Sequence, residues 1–135
     1  LDVGCATGYS SAVLAGLAAA VVAVEEDAEL AAQATALLDE LEWANAAVVE
    51  GPLAAGVPDQ GPYDLIFVNG AVEDVPPALL DQLAEGGRLA CVFMAGGFGR
   101  ASVFVKANGA IGRRELFDAS VPPLPGFGKK RGFVF

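Results

Sequence analysis

The chain opens on an apolar strand end that runs into a turn bounded by two glycines, Leu1-Asp2-Val3-Gly4-Cys5-Ala6-Thr7-Gly8. Glycines here let the backbone turn sharply and approach a ligand closely. A helix beginning next, from about Ser10 to Leu17, would aim its free amides at an anionic group in the turn. Ser10 or Ser11 is expected to cap that helix. Few folds place a glycine turn between a buried strand and a helix; the commonest are α/β folds with a parallel sheet.

The rest of the chain keeps that rhythm. Val21 to Val24 read as a second apolar strand ending at Glu25, Ala28 to Leu41 as a helix, and Ala46 to Val49 as a short third strand. Pro58 to Pro62 is a turn-rich connection, and Tyr63 to Val68 is a fourth strand, apolar enough for burial on both faces. Pro77 suits the first turn of a helix carrying Leu79, Leu80 and Leu83, which Gly86-Gly87 closes before a fifth strand, Arg88 to Phe93. Alternating strands and helices imply a Rossmann-like, doubly wound, mostly parallel sheet. Ser102 to Lys106 and Gly112 to Phe117 then read as two strands joined through Asn108-Gly109, a strong hairpin signal. They predict an antiparallel hairpin at the C-terminal end of the sheet. The chain thus reads as a single domain, with residues 1–93 as a ligand-binding core and 94–135 as the hairpin and a Pro- and Gly-rich tail. Phe133-Val134-Phe135 are expected to dock on the core. Because the sequence starts inside its first strand, a further N-terminal segment is expected.

Charge and composition exclude several function classes. Residues 1–87 hold fifteen acids and no Lys or Arg; residues 88–135 hold eight bases and two acids, so the halves carry −15 and +6 of the net −9. An acidic front argues against a nucleic-acid partner, since phosphates need a basic face. No apolar run reaches the ~18–20 residues that cross a bilayer, so no membrane partner is expected. Cys5 and Cys91 fit no metal-ligand spacing and no disulfide framework. No metal is expected, and a reducing, cytoplasmic setting is.

Four short constellations carry the chemistry. In the first, Asp2 to Gly8 followed by Tyr9, a dinucleotide fingerprint would want Gly-x-Gly-x-x-Gly, and Ala6 stands where its second glycine should be. The acid two residues before Gly4 favours S-adenosylmethionine over a dinucleotide or a purely structural turn. In the second, Glu25 ends the second strand 21 positions after Gly4, where an acid can accept ribose hydroxyls. Glu26 beside it counts with the ligand contacts, although the helix dipole alone would favour acids here. The third is Gly51-Pro52-Leu53 after the third strand, expected near the adenine. The fourth is Asn69-Gly70 after the fourth strand, with Asn69 a candidate catalytic residue beside the transferable methyl and a simple turn the alternative.

Leu1 to Ala15, Val24-Glu25 and Tyr63 to Ala71 resemble the protein-L-isoaspartate O-methyltransferase family, and so does Val75-Pro76-Pro77-Ala78-Leu79-Leu80-Asp81-Gln82-Leu83 continuing to Leu89. The Gly8-Tyr9 pair and the Val-Pro-x-x-Leu-x-x-Gln-Leu stretch are more telling than the glycine turn alone. The resemblance implies a class I methyltransferase fold, S-adenosyl-L-methionine as methyl donor, and L-isoaspartyl residues of damaged proteins as acceptors. It departs from the family at Gly51-Pro52-Leu53, where Gly-Asp-Gly is usual. Another carboxylate or hydroxyl acceptor, or a noncatalytic S-adenosylmethionine-binding module, stays open at this point.

Overall fold

The structure is a computed structural model that describes residues 1–128; the expected docking of Phe133-Val134-Phe135 lies outside the described residues. Seven strands form one sheet: β1 (Asp2–Val3), β2 (Val21–Glu25), β3 (Ala46–Glu50), β4 (Tyr63–Val72), β5 (Leu83–Ala95), β6 (Phe98–Ala107) and β7 (Ala110–Asp118). Their spatial order is β3-β2-β1-β4-β5-β6-β7. The first five run parallel, whereas β6 and β7 are antiparallel additions at one edge. The Asn108-Gly109 turn joins them with both residues at positive φ, 53° and 76°, as a two-residue hairpin turn requires. This is the architecture that the hydrophobic periodicity predicts.

Among the described residues, three α-helices accompany the sheet: α1 (Tyr9–Ala15), α2 (Ala28–Glu40) and α3 (Pro77–Leu80). The Asp27 side chain caps α2 by accepting from Glu29 N and Leu30 N at 2.9 and 3.0 Å. Ala31, Ala34 and Leu38 form the buried stripe of α2, and Ala34 clusters with Cys5 and Ala23. The neighbouring Val24 belongs to the larger cluster, with Val3, Ile66, Leu79 and Leu89. Successive β2 residues therefore serve opposite faces of the sheet, as the pleat demands.

Two element boundaries and one cap differ from the sequence reading in ways that shape the site. The helix expected to carry Leu83 stops at Leu80, and Leu83 opens β5 instead, paired with Tyr63. Gln82 makes the break: its amide nitrogen donates to Ala55 O and Ala78 O, and its side-chain oxygen accepts from Val57 N. Neither Ser10 nor Ser11 caps α1. Gly8 occupies the cap position with no side-chain bond, because both serine hydroxyls turn back to Asp2. The fourth strand does not end at Val68 but continues to Val72, so Asn69 and Gly70 lie within β4. Phe67 pairs with Ala90 and Ala71 with Val92, which leaves four steps along β4 against two along β5. The surplus is a bulge that lifts Asn69 out of the ladder. Ala71 resumes pairing and is also clamped from the tail, where its N donates to Pro122 O and its O accepts from Leu124 N, each at 2.9 Å.

Candidate functional site

Parallel strands bring their carboxyl ends to one edge of the sheet, where open α/β folds bind ligands. The turn after β1, the end of β2, the turn after β3 and the bulge of β4 all meet there. Gly8 opens α1 at φ 94°, and a Cβ on it would stand 2.9 Å from Ala34 Cα. Only glycine fits this position, since the backbone of α2 cannot yield. The close approach sets the direction in which α1 leaves the sheet. Gly4 N donates to Val24 O at 2.9 Å, which ties the turn to β2.

Glu25 is 5% exposed and braces this turn. Its Oε2 accepts from Ala6 N at 2.8 Å. Its Oε1 accepts from Glu26 N and Asp27 N at 3.0 and 3.2 Å. A carboxylate has about four lone-pair positions, so roughly one, on Oε2, stays open to a ligand. The Glu25 main-chain oxygen accepts from Gly51 N at 3.0 Å, which draws the β3 turn alongside.

Asp2 is fully buried, and its Oδ2 accepts from Ser10 Oγ and Ser11 Oγ, both at 2.7 Å. Its Oδ1 has no hydrogen-bond partner among the described residues. Desolvation raises the Asp2 carboxyl above the usual carboxylate range, against the lowering effect of the two serines. Asn69 is exposed, and its Nδ2 donates to Ser10 Oγ at 3.2 Å and to Gly4 O at 3.3 Å.

The structure thus assembles Asp2, the Gly4–Gly8 turn, Glu25, Gly51 and Asn69-Gly70 into one rim. Ala6, Thr7, Tyr9 and Glu26 lie exposed along it. Pro52 is exposed as well, while Leu53 is 3% exposed and packs into the larger core. Cys5 is buried. Three partners escaped the sequence reading. Ser10 and Ser11 sit eight and nine residues after Asp2, a spacing that a helix cap explains equally well. Leu124 comes from the distant tail: a Cβ on Gly4 would lie 2.8 Å from its Cδ1, and one on Gly70 3.0 Å from its Cβ. A cavity of about 330 Å³ lies at the amino ends of β1, β2 and β4, bordered by Leu1, Leu14, Val21 and Tyr63, away from these polar groups. A smaller one of about 200 Å³, between Ala71, Met94, Val121 and Leu124, adjoins the β4 bulge.

The sequence profile of the protein-L-isoaspartate(D-aspartate) O-methyltransferase family matches residues 1–120. The chain belongs to this family. A protein-L-isoaspartate O-methyltransferase of Koribacter versatilis is 43% identical over 126 residues, which cover 93% of this chain and 57% of that protein. The chain spans little more than half the length of that relative. Among solved structures, a protein-L-isoaspartate O-methyltransferase superimposes with a TM-score of 0.87 at 28% identity, covering 94% of this chain and 42% of the other. A Plasmodium falciparum protein assigned to the same family, solved in complex with S-adenosyl-L-homocysteine, superimposes with a TM-score of 0.74 at 23% identity, over 91% of this chain and 63% of its own. That last likeness concerns the fold. The sheet and its antiparallel end are those of the class I methyltransferases.

Proposed function

We propose that the protein transfers the methyl group of S-adenosyl-L-methionine to the α-carboxylate of L-isoaspartyl residues in damaged proteins. The observation that carries this reading is the convergence of a buried, amide-held Glu25 and a bulge-borne Asn69 on either side of the Gly4–Gly8 turn, in a member of this family. The turn fits the cofactor because Ala6 and Thr7 lie exposed between its two glycines, beside the amide-held carboxylate of Glu25. Glu25 would offer its remaining acceptor position to a ribose hydroxyl, Gly51 and Pro52 would face the adenine, and Asn69-Gly70 would flank the methyl. The cofactor supplies an electrophilic methyl on a sulfonium. An acceptor carboxylate oxygen forms the new C–O bond while the S–C electron pair returns to sulfur, leaving a methyl ester and S-adenosylhomocysteine. No proton moves, since the carboxylate is already ionised at neutral pH. The chain's lack of histidine is therefore no obstacle, and in-line positioning can supply about 7–11 kcal/mol.

The cavity beside Ala71 and Val121 offers the acceptor an approach to the β4 bulge. The acidic front supports a protein rather than a nucleic-acid partner. No helix among the described residues is long and apolar enough to cross a membrane, and the free, buried Cys5 and Cys91 suit the reducing cytoplasm. The test is methyl transfer from labelled S-adenosylmethionine to an isoaspartyl peptide and to its normal aspartyl counterpart. Base-labile label on the first and background on the second is the expected result. No transfer to either peptide, with cofactor binding intact, would point to another acceptor or a noncatalytic role.

A further inference from the structure

Asn69 is held in one orientation. Gly4 O can only accept a hydrogen bond, and the single hydrogen of the Ser10 hydroxyl is spent on Asp2, so toward Asn69 that hydroxyl can only accept too. Turning the carboxamide over would set its oxygen against two acceptors, and Nδ2 must therefore face inward, as found. Both of its N–H groups are then used. What remains for a ligand is Oδ1, an acceptor. An ionised carboxylate has no hydrogen to give it, so Asn69 is not built to receive the methyl acceptor's carboxylate.

Which donor it takes follows from the strand order. Glu25 ends β2, Asn69 lies on β4, and β1 with its glycine turn runs between them. A cofactor whose ribose reaches Glu25 extends its amino-acid end across β1 toward β4, and the donor on that end is the α-ammonium. The buried Asp2, with one oxygen unpartnered, anchors this chain of contacts from below. We propose that Asn69 accepts a hydrogen bond from the α-ammonium of S-adenosylmethionine through Oδ1, and that Ser10 is the positioning residue that locks it so. The inference rests on the cofactor reading above and assigns one ligand group to a side chain that glycine-turn patterns do not specify.

Calorimetry with two ligands tests it: S-adenosylhomocysteine, and the same thioether lacking only its α-amino group. Asn69→Ala is expected to weaken S-adenosylhomocysteine about tenfold and to leave the desamino analogue within about twofold, the loss typical of one charge-assisted hydrogen bond. Ser10→Ala should act in the same direction with a smaller loss, and Ser10→Thr, which keeps the hydroxyl, should restore affinity. The KM of Asn69→Ala for an isoaspartyl peptide at saturating cofactor should stay unchanged. Equal loss of both ligands, no loss of S-adenosylhomocysteine, or a raised peptide KM with cofactor affinity intact would each overturn the proposal. If the unaltered protein binds neither ligand, the cofactor reading itself fails and this inference falls with it, an outcome that the variants alone cannot produce.

Discussion

Glu25 does two things with one carboxylate. Three of its hydrogen bonds come from main-chain amides of the Gly4–Gly8 turn and the start of α2, so it shapes the site before any ligand meets it. Glu25→Gln keeps the size of the side chain, but its amide group puts an N–H where a main-chain amide now donates. Cofactor affinity is expected to fall about tenfold or more, the worth of a hydrogen bond to a charged group; calorimetry that finds affinity unchanged would remove Glu25 from the site. The cysteines make a second residue-scale case. Burial, reinforced by the charges of Asp2 and Glu25, pushes the Cys5 thiol from 9.0 up to about 12, and burial pushes Cys91 up to about 11. Neither should react with a disulfide reagent at pH 8 until denaturant is added, when both should. Folding makes these thiols weaker acids. Above about pH 9 the unfolded chain gives up protons that the folded chain keeps, so stability should fall as pH rises from about 9 toward 11–12. A pH-independent midpoint in urea melts across that range would contradict this.

At the level of elements, two glycines at positive φ separate a steric requirement from a conformational one. Gly8→Ala meets both: a left-handed alanine costs about 1–2 kcal/mol, and the new Cβ also meets the α2 backbone at Ala34. Gly109→Ala meets only the first, since nothing lies within 4 Å of its missing Cβ. Gly8→Ala is therefore expected to lower Tm by about 5 °C or more, Gly109→Ala by a few degrees, and only Gly8→Ala should lose cofactor binding; equal shifts would refute the packing account. These two turns, and the strands between them, were legible because glycine at Gly4 and Gly8 and the Asn108-Gly109 pair mark backbone geometry directly. The length of β4 was not, because Asn69-Gly70 has the composition of a turn and only the register against β5 reveals a bulge. The end of α3 was hidden for a similar reason. Leu79, Leu80 and Leu83 have helical spacing, and the break at Gln82 depends on carbonyls of Ala55 and Ala78, one of them 27 residues away. Of the rim, the glycine turn and Glu25 stood out by residue type. The pairing of Asp2 with Ser10 and Ser11 did not, since serines opening a helix have a ready local explanation, and Leu124 reaches the site through a tail that carries no periodic signal.

Across the whole molecule, charge is sorted along the sheet. The fifteen acids of residues 1–87 have no basic residue in their own segment, and eight of them, from Glu25 to Glu50, lie on the β2, α2 and β3 side. The ion pairs of Arg100 and Arg113 close inside the hairpin, on Glu115 and Asp118. Self-repulsion of the acidic side opposes the compact state, and α2 concentrates the problem. Its last turn contains Asp39 and Glu40 and no basic residue, although the negative end of the helix dipole favours cations there. Glu40 is exposed, so reversing its charge disturbs no packing. Glu40→Lys is expected to stabilise the protein by about 0.3–1 kcal/mol from the dipole, with a further contribution from reduced repulsion. The gain should be largest near 0.01 M salt, where the Debye length is about 30 Å, and should shrink near 1 M, where it is about 3 Å. The unaltered protein should itself gain stability over the first few tenths molar of sodium chloride and then level off, because screening saturates on that scale. Urea melts of both proteins at low and high salt measure all three effects. A gain that persists undiminished at about 1 M would assign the stabilisation to the helix propensity or packing of the new lysine, because a charge effect is screened there. No gain at low salt would mean that the acidic side is not under electrostatic strain.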